Sequence, residues 1–207
     1  MKTLIAVPCM DQVPTMFCQS LALLKHVGEC TLAMQTGSLV YSSREQLTIQ
    51  AVKADADYVL WLDSDMVFGP DLLERMIETL EAGKYDILSG VYYRRVAPYT
   101  PVLFETLEIK ENGEATFTEY KEIPEGIFEA AACGFGCVLM RADVFLDIQY
   151  RFGHMFTPIG KNGEDVSFCW RARQCGFKIY CDPSIKLGHV SYQMITAEMY
   201  KAYTAAK

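Results

Sequence analysis

Two carboxylates one residue apart, Asp63 and Asp65, end the apolar run Tyr58 to Leu62 in the segment YVLWLDSDMVFGPDLLERM. Like charges this close repel unless a cation lies between them or their pKa values rise. Hard divalent ions such as Mn2+ or Mg2+ take carboxylate oxygens and share their remaining positions with phosphates and water. The spacing therefore suits gripping a diphosphate through a metal, with turn and capping duty as the alternative. A second acidic pair, Glu164 and Asp165, follows Gly163 at the start of a helical pattern. Acids in a first helical turn are favoured by the free N–H groups and the helix dipole. A carboxylate held stiffly there can also take a proton from an incoming hydroxyl. His189 is the third element, either structural or a neutral imidazole completing an oxygen-rich metal shell. A gap of more than about 10 Å between His189 and Asp65 would favour a binding module without turnover.

The elements that must position these groups alternate between strand and helix. Thr3 to Val7 reads as a strand ending at Pro8, and Pro14 opens a helix with Phe17, Leu21, Leu24 and Val27 on one stripe. Thr31 to Gln35 is a second strand. Ser42 with Glu45 and Ser43 with Gln46 form overlapping capping boxes for a helix running through Ala56. Tyr58 to Leu62 is the third strand, Gly69-Pro70-Asp71 starts a helix, and Asp86 to Tyr92 is the fourth strand. Continuous apolar strands alternating with helices predict a mostly parallel sheet covered on both faces, with ligands outside the carboxyl ends of its strands.

Beyond residue 93 the pattern changes. Residues 102 to 129 are acidic, with Asn112-Gly113 as a turn between short antiparallel strands. Ala132 to Met140 is glycine-rich and apolar, Ala142 to Leu146 suits a short helix, and 154 to 163 reads as a mobile loop able to close over the site. Glu164 to Cys175 reads as a helix stopped by Gly176, and Lys178 to Cys181 as a last strand before Pro183. Gly134 and Gly136 allow a backbone to approach a ligand closely without Cβ atoms in the way, or mark a bulge or tight strand packing. Phe135 between them stacks on a ligand ring or fills core. Arg94 and Arg95 can meet phosphate or another ligand, or sit on a solvated loop, and Tyr92, Tyr93 and Tyr99 are further stacking candidates.

Composition narrows the classes. The chain has 207 residues, 22% of them charged, and a formal net charge of −7, an ordinary globular profile for one domain without a large nucleic-acid footprint. Eight cysteines without paired zinc spacing read mainly as buried free thiols, and a reducing compartment follows. No apolar run is long enough to predict a transmembrane segment, and MKTLIAVPCM reads as a first strand rather than a signal peptide.

Taken in order, VPCMDQVP, SSREQLTIQAVKADADYVLWLDSDMVFGPDLLERM, DILSGVYYRR with PYTPVLF, AACGFGCVLMRADVF and NGEDVSFCWRARQCGFKIYCDPSIKLGHV cover nearly all of the chain outside 105–129. This set resembles the GT-A type glycosyltransferases, family 2-like, especially the small single-domain enzymes of phages and bacteria. The resemblance implies an α/β GT-A fold: a mostly parallel nucleotide-binding sheet flanked by helices, with a smaller mixed or antiparallel acceptor-side portion. It implies one domain over 1–207, with a nucleotide-binding half at 1–93 and an acceptor and catalytic half at 94–207. Pro8 would line the nucleotide pocket and Arg44 would reach the nucleotide. Asp63 would sit near ribose and metal and help Asp65 and His189 hold Mn2+ or Mg2+. Asp165 would be the general base of an inverting transfer, supported by Glu164, and Gly134, Phe135 and Gly136 would underlie donor sugar and acceptor.

The implied reaction moves a sugar from a nucleoside diphosphate sugar, UDP being the commonest donor base in the family, to an acceptor hydroxyl. The acceptor stays open among a glycan, a lipid-linked sugar, a protein and a modified nucleobase, as does the oligomeric state. A cytoplasmic setting is expected, bacterial or that of a phage host. Two rivals remain. A nucleotidyltransferase acting on sugar phosphates normally carries a glycine-rich phosphate loop, which PCMDQVP lacks. A nucleotide-sugar binding module without catalysis would not need Asp65, Asp165 and His189 to converge.

Overall fold

The computed structural model describes residues 1–192 together with Ala197. Strand and helix alternate first: β1 (Lys2–Cys9), α1 (Thr15–Leu23), β2 (Glu29–Thr36), α2 (Val40–Lys53), β3 (Tyr58–Leu62), β4 (Met66–Val67), α3 (Leu72–Gly83) and β5 (Ile87–Val91). Then follow β6 (Leu103–Ile109), β7 (Ala115–Glu119), β8 (Phe128–Ala130), β9 (Ala132–Cys133), β10 (Cys137–Arg141) and α4 (Asp143–Phe152). The described elements close with α5 (Glu164–Gln174), β11 (Ile179–Lys186) and β12 (Gly188–His189).

A 7-stranded sheet runs in the order β2-β1-β3-β10-β5-β11-β8. β2, β1, β3, β5 and β11 share one direction, while β10 and β8 run against it. A 3-stranded antiparallel sheet, β7-β6-β9, and the ladder β12-β4 complete the fold. The mostly parallel sheet with a smaller antiparallel portion is the architecture the sequence leads one to expect.

β3 explains why its sequence is apolar at every position. Successive side chains point to opposite faces, and helices cover both. Val59 and Trp61 pack with Leu47 and Ala51 of α2, Phe145 of α4 and Phe168 of α5. Tyr58, Leu60 and Leu62 pack on the other face with Phe17 of α1 and Leu73, Met76 and Leu80 of α3.

Several local expectations are corrected. α1 stops at Leu23, so Leu24 and Val27 lie beyond it. α2 begins at Val40, behind an extended Leu39, and ends at Lys53. Ser42 and Ser43 are thus already helical, and no side chain caps the helix. Glu45 is drawn elsewhere: its Oε1 accepts the backbone N–H groups of Met155, Phe156 and Thr157 at 2.8, 2.7 and 3.2 Å. Arg171, 2% exposed, donates to the carbonyls of Met155 and Thr157 from the other side. Met155 and Phe156 are themselves buried. The start of the predicted mobile loop is therefore built into the core between two charged clamps. Its remainder rests on the β6–β7 turn, where a Cβ on Gly160 would lie 2.7 Å from the carbonyl oxygen of Gly113.

α4 extends to Phe152, well past the predicted Leu146, because Ile148 continues its buried face. β11 continues through Pro183 to Lys186 by way of a register shift after Asp182, the irregularity at which a strand tolerates proline. All eight cysteines are free thiols, and Cys9, Cys133, Cys137, Cys169 and Cys181 are buried. Among the described residues no helix is long and apolar enough to cross a membrane.

Candidate active site

The chain leaves β3 through a tight turn in which the Met66 N–H returns to the Asp63 carbonyl at 3.1 Å. The Asp63 N–H is held by the Gly136 carbonyl at 3.1 Å, just before β10. Immediately after the turn β4 pairs with β12, Met66 opposite His189 and Val67 opposite Gly188. The Val190 N–H then donates to the Asp65 carbonyl at 2.9 Å. This short ladder delivers His189 to Asp65 from the far end of the chain.

The two aspartates turn to different cations. Asp63 Oδ1 lies 2.7 Å from Arg44 Nη2, and Arg44 Nε lies 3.4 Å from Glu164 Oε1. Arg44 is 2% exposed, with its guanidinium 5.6, 5.1 and 5.9 Å from the ring centres of Trp61, Phe135 and Phe156. Those rings supply a cation–π enclosure. Burial opposes the charge on Arg44, but Asp63 and Glu164 outweigh it and push its pKa up. Its Nη1 has no hydrogen-bond partner among the described residues. The resemblance implies a nucleotide contact for Arg44; in the fold it lies between the two acidic segments, linking the β3 turn to the start of α5.

Asp65 faces the more open side. Its Oδ2 lies 2.7 Å from Arg95 Nη1 and 3.4 Å from His189 Nε2, far inside the separation that would favour a non-catalytic module. His189 Nδ1 is 2.8 Å from the Tyr93 carbonyl oxygen. A carbonyl only accepts, so Nδ1 carries a proton and the lone pair of a neutral imidazole at Nε2 would face a carboxylate oxygen. Two acceptors so placed call for a proton or a metal cation between them. The contact with Asp65 holds the His189 pKa above its usual value against burial. Burial works against Asp65 ionisation, yet His189 and Arg95 keep its carboxyl below the ordinary range.

The donor set fits a divalent cation on these terms. The second imidazole nitrogen is oriented by a backbone carbonyl, as is usual for ligating histidines. Among the described residues no group of three or more His, Cys, Asp or Glu side chains is gathered for a metal. One carboxylate, Asp65, and one imidazole, His189, would hold such a cation from the protein side.

Asp165 sits in the first turn of α5, where its Oδ1 accepts the Val166 N–H at 2.7 Å. Burial, and then the charge of Glu164, pushes its pKa up to about 6. That leaves a carboxylate ionised at neutral pH but more basic than an exposed one, the tuning expected of a general base.

The glycine segment is packed tightly, one of the two alternatives its residues left open. Cβ atoms at Gly134 and Gly136 would collide with Tyr92, the second at 2.7 Å from its Cζ. The Gly136 N–H donates to the Tyr92 hydroxyl at 3.2 Å. The close approach these glycines permit is therefore to a buried phenol, whose own ring meets His189 edge-on at 5.4 Å. Phe135 is 1% exposed among Trp61, Phe156 and Phe168, so its ring fills core. Pro8 is buried within β1, and its strand register continues the Ala6–Trp61 pairing toward Asp63. The sequence reading missed Tyr92 as a packing partner, Glu45 as a clamp and the partner of Arg95. Only the adjacency of Arg94 and Arg95 to a strand end hinted at the last.

Comparison with known proteins agrees with this geometry. The glycosyl transferase family 2 model matches residues 46–149, half of the chain, and includes the β3 turn and β10. The chain belongs to that family. The enzyme is therefore a glycosyltransferase acting on a nucleotide-sugar donor, which sets aside the nucleotidyltransferase and non-catalytic readings. Its fold is similar to the crystal structure of A197 from STIV, with a TM-score of 0.67, 22% identity, and coverage of 93% of this chain and 87% of that one. It is also similar to GalNAc-T7, solved with UDP, GalNAc and Mn2+, with a TM-score of 0.61 and 9% identity. That match covers 99% of this chain but 47% of the larger protein, so the transferase spans about half its length. No curated protein sequence matches.

Proposed function

We propose that the enzyme transfers a sugar from a nucleoside diphosphate donor, UDP-linked, to an acceptor hydroxyl with inversion, using Mn2+ or Mg2+ held by Asp65 and His189. The observation that carries this reading is the pairing of Asp65 Oδ2 with His189 Nε2 at 3.4 Å, with the Tyr93 carbonyl orienting the imidazole. The UDP and Mn2+ bound to GalNAc-T7, which shares the fold, support the choice of donor and ion.

When bound, the divalent cation offsets negative charge growing on the departing diphosphate. Asp63 keeps its Oδ1 on Arg44, which leaves its other oxygen for the donor's ribose. Arg44 also anchors Glu164, so the turn that carries Asp65 and the helix start that carries Asp165 keep a constant separation. Asp165 takes the acceptor hydroxyl's proton as that oxygen attacks from the face opposite the diphosphate, which inverts the anomeric centre. Glu164 lies beside it to orient the acceptor. The buried Tyr92, Phe135 and Phe156 exclude water beneath the site.

The test is a screen of UDP-, GDP-, TDP- and CMP-linked sugars for nucleotide release with and without Mn2+ or Mg2+. Wild-type enzyme should release UDP only with the metal, and Asp65→Ala should lose metal-dependent donor binding. Equal binding by Asp65→Ala, or metal-independent turnover, would overturn the assignment.

A further inference from the structure

The Asp65 oxygen that faces His189 already has an occupant. Arg95 Nη1 lies 2.7 Å from it, and this is the only side-chain hydrogen bond Arg95 makes among the described residues. The side chain is 51% exposed. Of the arginines and lysines ion-paired to Asp63, Asp65 or Glu164 among the described residues, Arg95 alone is open to solvent.

Its backbone setting keeps it at the site while leaving the side chain free. The segment after β5 leaves and returns on a fixed base: Val102 N–H to the Tyr92 carbonyl at 3.0 Å, a Tyr93–Pro101 bridge, and Arg94 N–H to the Thr100 carbonyl at 2.9 Å. Arg95 is the first residue beyond that base, at the root of a tip where Val96 is 73% and Tyr99 52% exposed. Two residues earlier, Tyr93 holds His189 through its carbonyl. A guanidinium that let go of Asp65 would therefore stay beside the same pair.

Charge decides where it would go. Without ligand, Arg95 neutralises Asp65. A metal entering at Asp65 Oδ2 meets a cation on that atom, and the two cannot share it without strong repulsion. A nucleoside diphosphate arriving with the metal brings an excess of negative oxygens into a protein whose net charge is −7. A guanidinium fork matches phosphate oxygens as well as it matches a carboxylate.

We propose that Arg95 is an exchangeable counter-charge: it occupies the Asp65 oxygen in the donor-free enzyme, yields it to the metal, and moves to the donor's diphosphate. This rests on the metal and diphosphate placement proposed above. It gives Arg95 effects of opposite sign on two ligands, which a purely structural residue would not have.

The experiment measures Mn2+ affinity by electron paramagnetic resonance without nucleotide, then UDP, GDP and TDP affinity at saturating Mn2+ by calorimetry. It compares wild type, Arg95→Ala, Arg95→Lys and Arg94→Ala. Arg95→Ala should bind Mn2+ alone about 2- to 5-fold more tightly, the size of a half-exposed ion pair removed. The same variant should bind the best nucleoside diphosphate about tenfold or more weakly, the loss of a charged hydrogen bond. Arg95→Lys should fall between, and Arg94→Ala, whose partner is Glu119, should match wild type in both. Unchanged Mn2+ affinity in Arg95→Ala, or nucleotide binding as tight as wild type, overturns the exchange while the metal site stands. A folded wild type that binds neither Mn2+ nor any nucleoside diphosphate removes the proposed function and the exchange together.

Discussion

The Arg44–Asp63 and Arg95–Asp65 pairs have the same N–O separation, 2.7 Å, and opposite surroundings. Arg44 is 2% exposed beneath three aromatic rings, and it serves two carboxylates; Arg95 is 51% exposed and serves one. Removing Arg44 would leave two partly buried carboxylates, Asp63 and Glu164, without their shared cation. Removing Arg95 would leave one partly buried carboxylate, Asp65, that still has His189 beside it. Contact distance therefore says little about what a pair does. The buried arginine fixes the β3 turn against α5, whereas the exposed one can be traded for a ligand.

The sharpest break in that comparison comes from the residue next to the buried pair. Asp165→Asn should leave donor binding intact and reduce transfer by about 10^2- to 10^4-fold, the usual contribution of a positioned base. A transfer rate equal to wild type would remove the base assignment. The wild-type rate should fall about tenfold per pH unit below about 6, because Asp165 must be ionised to accept a proton.

The same carboxyl makes a stability prediction with a defined sign. Its folded pKa is raised to about 6, so the folded state holds this proton more tightly than the unfolded state does. Stability from this group is therefore greatest below the unfolded carboxyl pKa and declines as pH rises through about 6. Asp165→Asn should consequently be more stable than wild type at pH 7 by about 3 kcal/mol, with most of the gain gone at pH 4, in thermal melts at the two pH values.

Arg44→Leu tests the buried pair directly. It should lose about 3–5 kcal/mol in urea unfolding, since Asp63 and Glu164 would face each other without their shared cation. A loss below about 1 kcal/mol would mean that the two pairs differ in exposure but not in consequence. Glu45→Ala is an intermediate case, because its carboxylate serves backbone donors rather than a cation. It should cost about 1–3 kcal/mol and speed amide exchange at Met155, Phe156 and Thr157. The smallest effect is expected for Arg95→Ala, whose unfolding free energy should change by less than about 1 kcal/mol and lose what little difference it has in high salt.

The apolar run Tyr58 to Leu62, the Asp63-Ser64-Asp65 turn and the acidic start of α5 were legible from local sequence, because each depends on residues close together in the chain. So was the predominance of parallel strands. What hid was anything decided across long sequence separations. β10 lies between β3 and β5 and antiparallel to both, yet its glycine-rich approach read as an isolated segment. Glu45 had a capping position available and went instead to the backbone at Met155, Phe156 and Thr157.

By itself the sequence determined that a strand would end in two carboxylates and a helix would begin with two more, since periodicity and terminal preferences are local properties. Only the tertiary structure decided which cation each carboxylate meets. Insertion of β10 ties Asp63 through the Gly136 carbonyl, α2 brings Arg44 under aromatic rings, and the β4–β12 ladder brings His189 to Asp65. Those pairings depend on strand register and burial. The same Asp and Arg side chains become a fixed joint where water is excluded and an exchangeable contact where it is not.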